Sequence, residues 1–455
     1  YDSIELSGNS AGTAIKSIAI SGDAPTISML NGRTSGAMTA ETIALDYANA
    51  GLNLSSEYAK GEFVIDAGRV DFDLAGSVGT AANAIQLRVD SIDIDASGDV
   101  FVDHVGTAVD LQSLDSGGQH TVVLTTQGDV THSEGQGVIG GATSLTANSI
   151  TGLDVNTDTL NLDVVGATSI QSTQAVVLDQ IDTSGLTLQA TDITQSANSQ
   201  IQIGEQASEL TASSGAVTLA GETNRFAGVL SIDATGAVDL KQAGDLQIGL
   251  IKGSSVGLTT TDGGLIQSGL QTAGLNIDTA GHLDLISAGG IGSFGVVTTP
   301  IRATAATIDL SAQDDVAFAV QGAASFEDVI LGGAGRLILT GNGGALSLTQ
   351  AIDSTAIEQM LVSVTGGALN IGNSITLSDA PLTLESDVGI TLSNDASLTT
   401  DGGDVIIDAG ASGFDMGSIT SNVSTSGGHL LISSIGDIEL GQIDTSAPSG
   451  PSGSA

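Results

Sequence analysis

Along this chain apolar and polar residues alternate in short runs, and glycine or a small polar residue breaks each run. Between Leu230 and Leu283 the apolar anchors Leu230, Val238, Leu246, Val256, Leu265, Leu275 and Leu283 recur every 8 to 10 residues. The segments around them, "LQIG", "VGLTT", "LNIDT" and "HLDLI", have period 2, the pattern of a strand with one buried face. A helix needs apolar spacings of three and four sustained over about 11 or more residues. The nearest approach to that is "DSTAIEQMLVSV", Asp353 to Val364, and it is short. The pattern therefore predicts an all-β protein of many short strands.

A longer period overlies the short one. "LTTTDGG" begins at Leu258 and "LTTDGGD" at Leu398, and looser copies of the phrase recur throughout. Its general form is an apolar residue, then Thr, Ser or Asp, a small residue, Gly, and an apolar–x–apolar strand. Copies begin at Leu210, Ile232, Leu258, Ile277, Ile308, Leu339, Val364, Leu398 and Val423, at intervals that cluster near 25 residues. Variable spacing around a common value is the mark of stacked structural repeats with loop insertions. Two or three strands fit each repeat. The expected fold is a parallel β-solenoid, most simply a right-handed β-helix, of about 18 coils of roughly 25 residues each. The repeated phrase becomes a corner, where Thr or Ser caps the turn and Gly permits the bend. An array of β-sandwiches would carry proline-rich seams about every 100 residues. Proline occurs only at Pro25, Pro300, Pro381, Pro448 and Pro451, so residues 1–445 read as one continuous solenoid and 446–455 as a Ser/Gly/Pro-rich tail or linker.

Composition sharpens this picture. Aromatic residues are 2% of the chain and Trp is absent, so the core must be thin and regular, filled by Val, Ile, Leu and Ala. The 52 acidic residues against 10 basic ones give a net charge of −42, which repels phosphate and excludes nucleic acid as a partner. There is no polybasic cluster for an anionic lipid surface and no apolar run long enough for membrane insertion. An acidic coat favours solubility and attracts divalent cations. Cysteine is absent, so disulfides, thiol nucleophiles and Cys-based zinc sites are excluded. The chain starts at Tyr1 without a signal peptide and already reads as strand, as expected of a mature product or an internal fragment.

Candidate chemistry centres on the acidic residues. In "DSIDIDASGD" alternation turns Ile92 and Ile94 inward and Asp93 and Asp95 outward, and "VDFDL" repeats the arrangement with Asp71 and Asp73. Such oxygens are candidate ligands for Ca²⁺, which takes about six to eight hard donors. The simpler reading of outward Asp is a solvated charge that blocks sideways strand pairing. Asp314 and Asp315 form an adjacent carboxylate pair, as on polysaccharide-cleaving β-helices, but the Asn-Thr-Asp, Gly-His-Gly and Arg-x-Lys segments that accompany such pairs are missing. The five histidines are scattered. His282 and His429 follow the turn glycine in equivalent places, which marks them as repeat positions rather than a catalytic pair. Carbohydrate or a host surface is a further candidate partner, and sugar stacking would centre on Leu45 to Phe63, which holds Tyr47 and Tyr58. No enzymatic activity is expected.

"LSIDATGAVDLKQAGDLQIGLIKGSSVGLTTTDGGLIQSG", Leu230 to Gly269, resembles the shaft repeats of filamentous-haemagglutinin-like exoproteins of bacteria. The likeness of pattern extends over roughly residues 60 to 430. That family's secretion domain carries Asn-Pro-Asn-Leu, and no Asn-Pro occurs here. The resemblance implies a right-handed β-helix, secretion to the cell surface or an extracellular matrix, and an adhesive or fibrous role with end-to-end self-association or contact with other matrix components.

Overall fold

A computed structural model describes residues 63–267, 274–294 and 298–447, together with the strands Ile4–Glu5, Ile15–Gly22, Thr26–Met29, Gly36–Tyr47 and Gly51–Leu54. The described residues are all strand, turn and bend, without a helix. They fall into two compact units, Tyr1–Gly221 and Glu222–Ala455. Each is a parallel β-solenoid, and the chain makes about 17 turns.

In the first unit one inward column runs Ile85, Val102, Leu124, Leu145, Leu162, Ile181 and Ile201, each the register partner of the next. All seven are buried. The alternation that turns these residues inward turns their neighbours outward, so apolar side chains stack on apolar ones from turn to turn. Burial of each such side chain is worth about 1.5–3 kcal/mol.

The second unit has equivalent columns. Leu240, Leu258, Leu285, Leu310 and Val329 form one. Phe318, Leu339, Val362, Leu384, Ile407 and Ile432 form another. A third face, the five strands from Ile352–Ser354 to Gln442–Asp444, adds Ile352, Ile375, Leu398, Val423 and Ile443. Each turn from Ile357 onward thus contributes three strands. An antiparallel ribbon, Ser293–Phe294 with Thr298–Thr299, also lies within this unit. Phe72, Phe226, Phe318, Phe326 and Phe414 are buried, and Phe318 and Phe326 meet edge to face at 6.1 Å.

The corners explain the recurring phrase. Thr260, Thr400 and Thr425 occupy inward positions, and each hydroxyl donates to the carbonyl three residues on, that of Gly263, Gly403 and Gly428 respectively. Ser287 does the same to Gly290 at 3.0 Å. Where the residue is Gln242, its amide reaches the carbonyl of Asp245. The side chain satisfies a carbonyl that leaves the ladder at the bend. Glycine is required because successive corners stack in contact: a Cβ on Gly367 would overlap the carbonyl of Gly344, and one on Gly428 the carbonyl of Gly403.

The short stretch with helix-like spacing, Asp353 to Val364, is the end of one strand, a bend at Thr355 and Ala356, and most of a second strand. A register shift lies between Gly335 and Arg336 opposite Ile357–Thr365, so Glu358 and Gln359 both face outward between buried Ile357 and Met360. A β-bulge thereby produces an apolar spacing of three without a helical turn.

Candidate metal centre

The outward Asp residues of the first unit lie on neighbouring strands. Phe63–Leu74 pairs in parallel with Ile85–Ala96, which places Asp71 against Asp93 and Asp73 against Asp95. The strand Ala108–Asp115 extends the second column with Asp115 against Asp95. A bulge between Ile92 and Asp93 sets Ser113 beside Asp93, so that the first column does not continue as carboxylate.

The two columns differ electrostatically. The Arg69 guanidinium donates to Asp93 Oδ2 at 2.6 Å and stands 3.7 Å from Asp71 Oδ2. This cation already occupies the centre of the Asp71–Asp93 pair. Partial burial and Asp71 still raise the Asp93 carboxyl above its usual range, with Arg69 opposing them. Among the described residues no basic side chain contacts Asp73, Asp95 or Asp115. Asp95 is raised by partial burial and by Asp115, Asp73 and Asp93 in that order. This column presents carboxylates from one side only. The shell of about six to eight oxygens that Ca²⁺ takes would be completed by water.

A second group was not evident from the chain. His282, Asp309 and Glu327 each offer a ligand atom, and these atoms lie within 4.8 Å of one another. They come from three consecutive strands of the second unit, His282–Ser287, Thr307–Ala312 and Ala324–Leu331. His282 Nδ1 is 2.9 Å from Thr307 Oγ1 and Nε2 is 3.4 Å from Asp309 Oδ2. Asp309 Oδ1 is buried without a hydrogen-bond partner. Asp284, the register partner of Asp309, has its carboxyl raised by burial and then by Asp309. Two features hid this group in the sequence. Its successive members are 27 and 18 residues apart, and a bulge between Ile308 and Asp309 turns Glu327 and Asp328 outward together.

The Asp314–Asp315 pair is differently engaged. Arg336 grips Asp315 in a fork, Nε to Oδ1 at 3.2 Å and Nη2 to Oδ2 at 2.7 Å, while its own N–H donates to Oδ1. These bonds hold the Asp315 carboxyl below the usual carboxylate range. The same guanidinium lies 4.3 Å from the centre of the Phe294 ring, and so pins the antiparallel ribbon to the turn. His429 is tied by its N–H to Asp404 Oδ1. Of the stretch Leu45 to Phe63, Tyr58 lies outside the described residues, as does the tail from Pro448.

Residues 165–233 match a family model described as repeats of unknown function (DUF5649). Neither the curated proteins nor the solved structures contain a match to the chain. A repeat-family match over stacked parallel strands agrees with a repetitive β-helical protein.

Proposed function

We propose that the chain is a structural and adhesive β-solenoid segment of a secreted bacterial cell-surface protein or extracellular fibre. The observation that carries this reading is the unbroken inward column, seven rungs long in the first unit, which commits the interior to stacking. Each turn is held by a ladder of backbone bonds to the turns beside it, an arrangement that favours stiffness. The acidic exterior keeps such a body soluble and apart from polyanions. No helix among the described residues is long and apolar enough to cross a membrane.

Self-association end to end belongs to the same reading. The last described strands, Leu430–Ser434, Ile438–Glu439 and Gln442–Asp444, leave Ile438, Leu440 and Ile443 between 42% and 51% exposed. An apolar edge of this kind accepts a further turn, from a continuing chain or a second copy. A calcium-dependent matrix role is the second reading, favoured by the uncompensated column Asp73, Asp95 and Asp115.

Negative-stain electron microscopy of the purified chain, with and without millimolar calcium, tests both. Filaments independent of calcium support a fibre subunit, and filaments only with calcium support the second reading. Compact globular particles without elongated bodies in either condition would refute both.

A further inference from the structure

We propose that His282, Asp309 and Glu327 form a site for one divalent transition-metal ion, of the zinc or manganese class, that ties three successive turns of the second unit together.

The spacing of the donors is the first argument. A tetrahedral ion holds nitrogen and oxygen ligands at about 2.0–2.2 Å, which puts two such ligands roughly 3.4 Å from each other. His282 Nε2 and Asp309 Oδ2 are 3.4 Å apart. That is long for an N–H···O hydrogen bond, which centres near 2.9 Å. It is the separation an ion between them would set.

The second argument is orientation. A metal-bound imidazole commonly donates its other N–H to a neighbouring acceptor, which fixes the ring and its tautomer. Thr307 Oγ1, 2.9 Å from Nδ1, is such an acceptor, and it sits at the register position directly opposite His282. With Nδ1–H donating there, the lone pair of Nε2 faces the two carboxylates.

The third is an orphan. Asp309 Oδ1 is buried, and no protein group hydrogen-bonds it. A buried carboxylate oxygen without a partner is unfavourable, because it has lost its water and gained no donor in return. An ion bound by this carboxylate would neutralise the charge that oxygen shares.

The last argument is the bulge. Regular alternation would face only one of Glu327 and Asp328 outward. The register shift at Ile308/Asp309 exposes both and sets Glu327 beside the cluster. Bulges recur where a side chain must be re-aimed. One imidazole nitrogen with carboxylate oxygens suits zinc or manganese better than calcium, whose ligands are oxygen alone. This separates the site from the all-carboxylate column of the first unit.

The full chain, stripped with a chelator and dialysed, is titrated with Zn²⁺ and with Mn²⁺ by calorimetry. Co²⁺ then serves as a probe whose visible absorption reports a nitrogen- and oxygen-ligated ion. The expected result is one equivalent bound per chain, weakened about tenfold or more by His282→Gln and by Glu327→Gln. Both are surface side chains, so the core is spared; unchanged circular dichroism checks the fold. Thr307→Val, which removes only the ring's anchor, is expected to weaken binding while leaving the stoichiometry at one. Asp95→Asn, in the other unit, is expected to leave it unaltered. Equal binding by the parent chain and His282→Gln would assign uptake to the acidic coat and overturn the proposal, as would no binding at all.

Discussion

Thr400→Val isolates the contribution of a corner hydroxyl. The two side chains have the same branched shape, so the substitution opens no cavity and keeps the rotamer. Thr400 is fully buried and donates to the Gly403 carbonyl at 2.5 Å. Removing the hydroxyl leaves that carbonyl without this donor, a cost of about 1–3 kcal/mol. The added methyl returns at most about 0.8 kcal/mol of burial. The expected net loss is therefore about 1–2 kcal/mol, seen as a lower midpoint in guanidinium at unchanged slope. Thr399→Val, one residue away on the half-buried outer face, is expected to stay within about 0.5 kcal/mol. Thr400→Ser retains the donor and loses one methyl, so it falls between the two. Amide exchange at Gly402 and Asp404 should quicken in Thr400→Val alone. A midpoint for Thr400→Val no lower than that of Thr399→Val would refute the idea that the recurring phrase holds its corner through this hydroxyl.

Leu384→Ala opens a cavity in a continuous column of the second unit and is expected to cost about 2–5 kcal/mol by denaturant unfolding. His104 is buried against Thr126 Oγ1 and the Val89 carbonyl, and burial lowers its pKa. The unfolded chain then binds the proton more readily, so this residue's contribution is complete above about pH 6.5 and is lost as pH falls below it; His104→Gln should flatten that part of the stability profile. Asp95 has its pKa raised in the folded state, so it penalises stability at neutral pH, and the penalty disappears as pH falls through the raised pKa toward the ordinary value near about 4. Asp95→Asn should stabilise at pH 7 by roughly 0.2–1 kcal/mol, less in high salt, with no gain at the acid end of a melting series. Gly367→Ala would drive its methyl into the Gly344 carbonyl and should lower the melting temperature, whereas alanine at Gly152, which meets nothing within 4 Å, is expected to suffer only the strain of its φ of +66°.

The strands and their inward residues were legible because a two-residue period survives every corner. Ile92 and Ile94, both fully buried, could be named as interior from local sequence alone. Which outward residue sits over which could not. That depends on the length of each turn, and the step between register partners is 22 residues from Val102 to Leu124 but 17 from Leu145 to Leu162. Asp71 and Asp93 were recognisable as outward, yet nothing local indicated that Arg69 would sit between them. Bulges obscured more. Two polar residues between apolar ones, as in Phe326–Glu327–Asp328–Val329 or Ile357–Glu358–Gln359–Met360, interrupt the alternation and imitate helical spacing. In this chain that interruption marks the place where an outer side chain is re-aimed. His282 read as a repeat position; the neighbours that give it a candidate ligand role, Thr307, Asp309 and Glu327, stand on the two strands stacked after it and were out of reach of local sequence.

The ladders that join successive turns have a mechanical consequence. Their hydrogen bonds point along the axis of each stack, not across it. A pull along that axis loads the bonds of one junction together and the junctions one after another, so the weakest turn opens first and the rest are shielded. A sideways pull instead shears every strand of a face at once. Each unit should therefore lengthen in discrete steps of one turn, yielding low force over a long extension, and absorb work gradually where a shear-loaded sheet would hold and then fail.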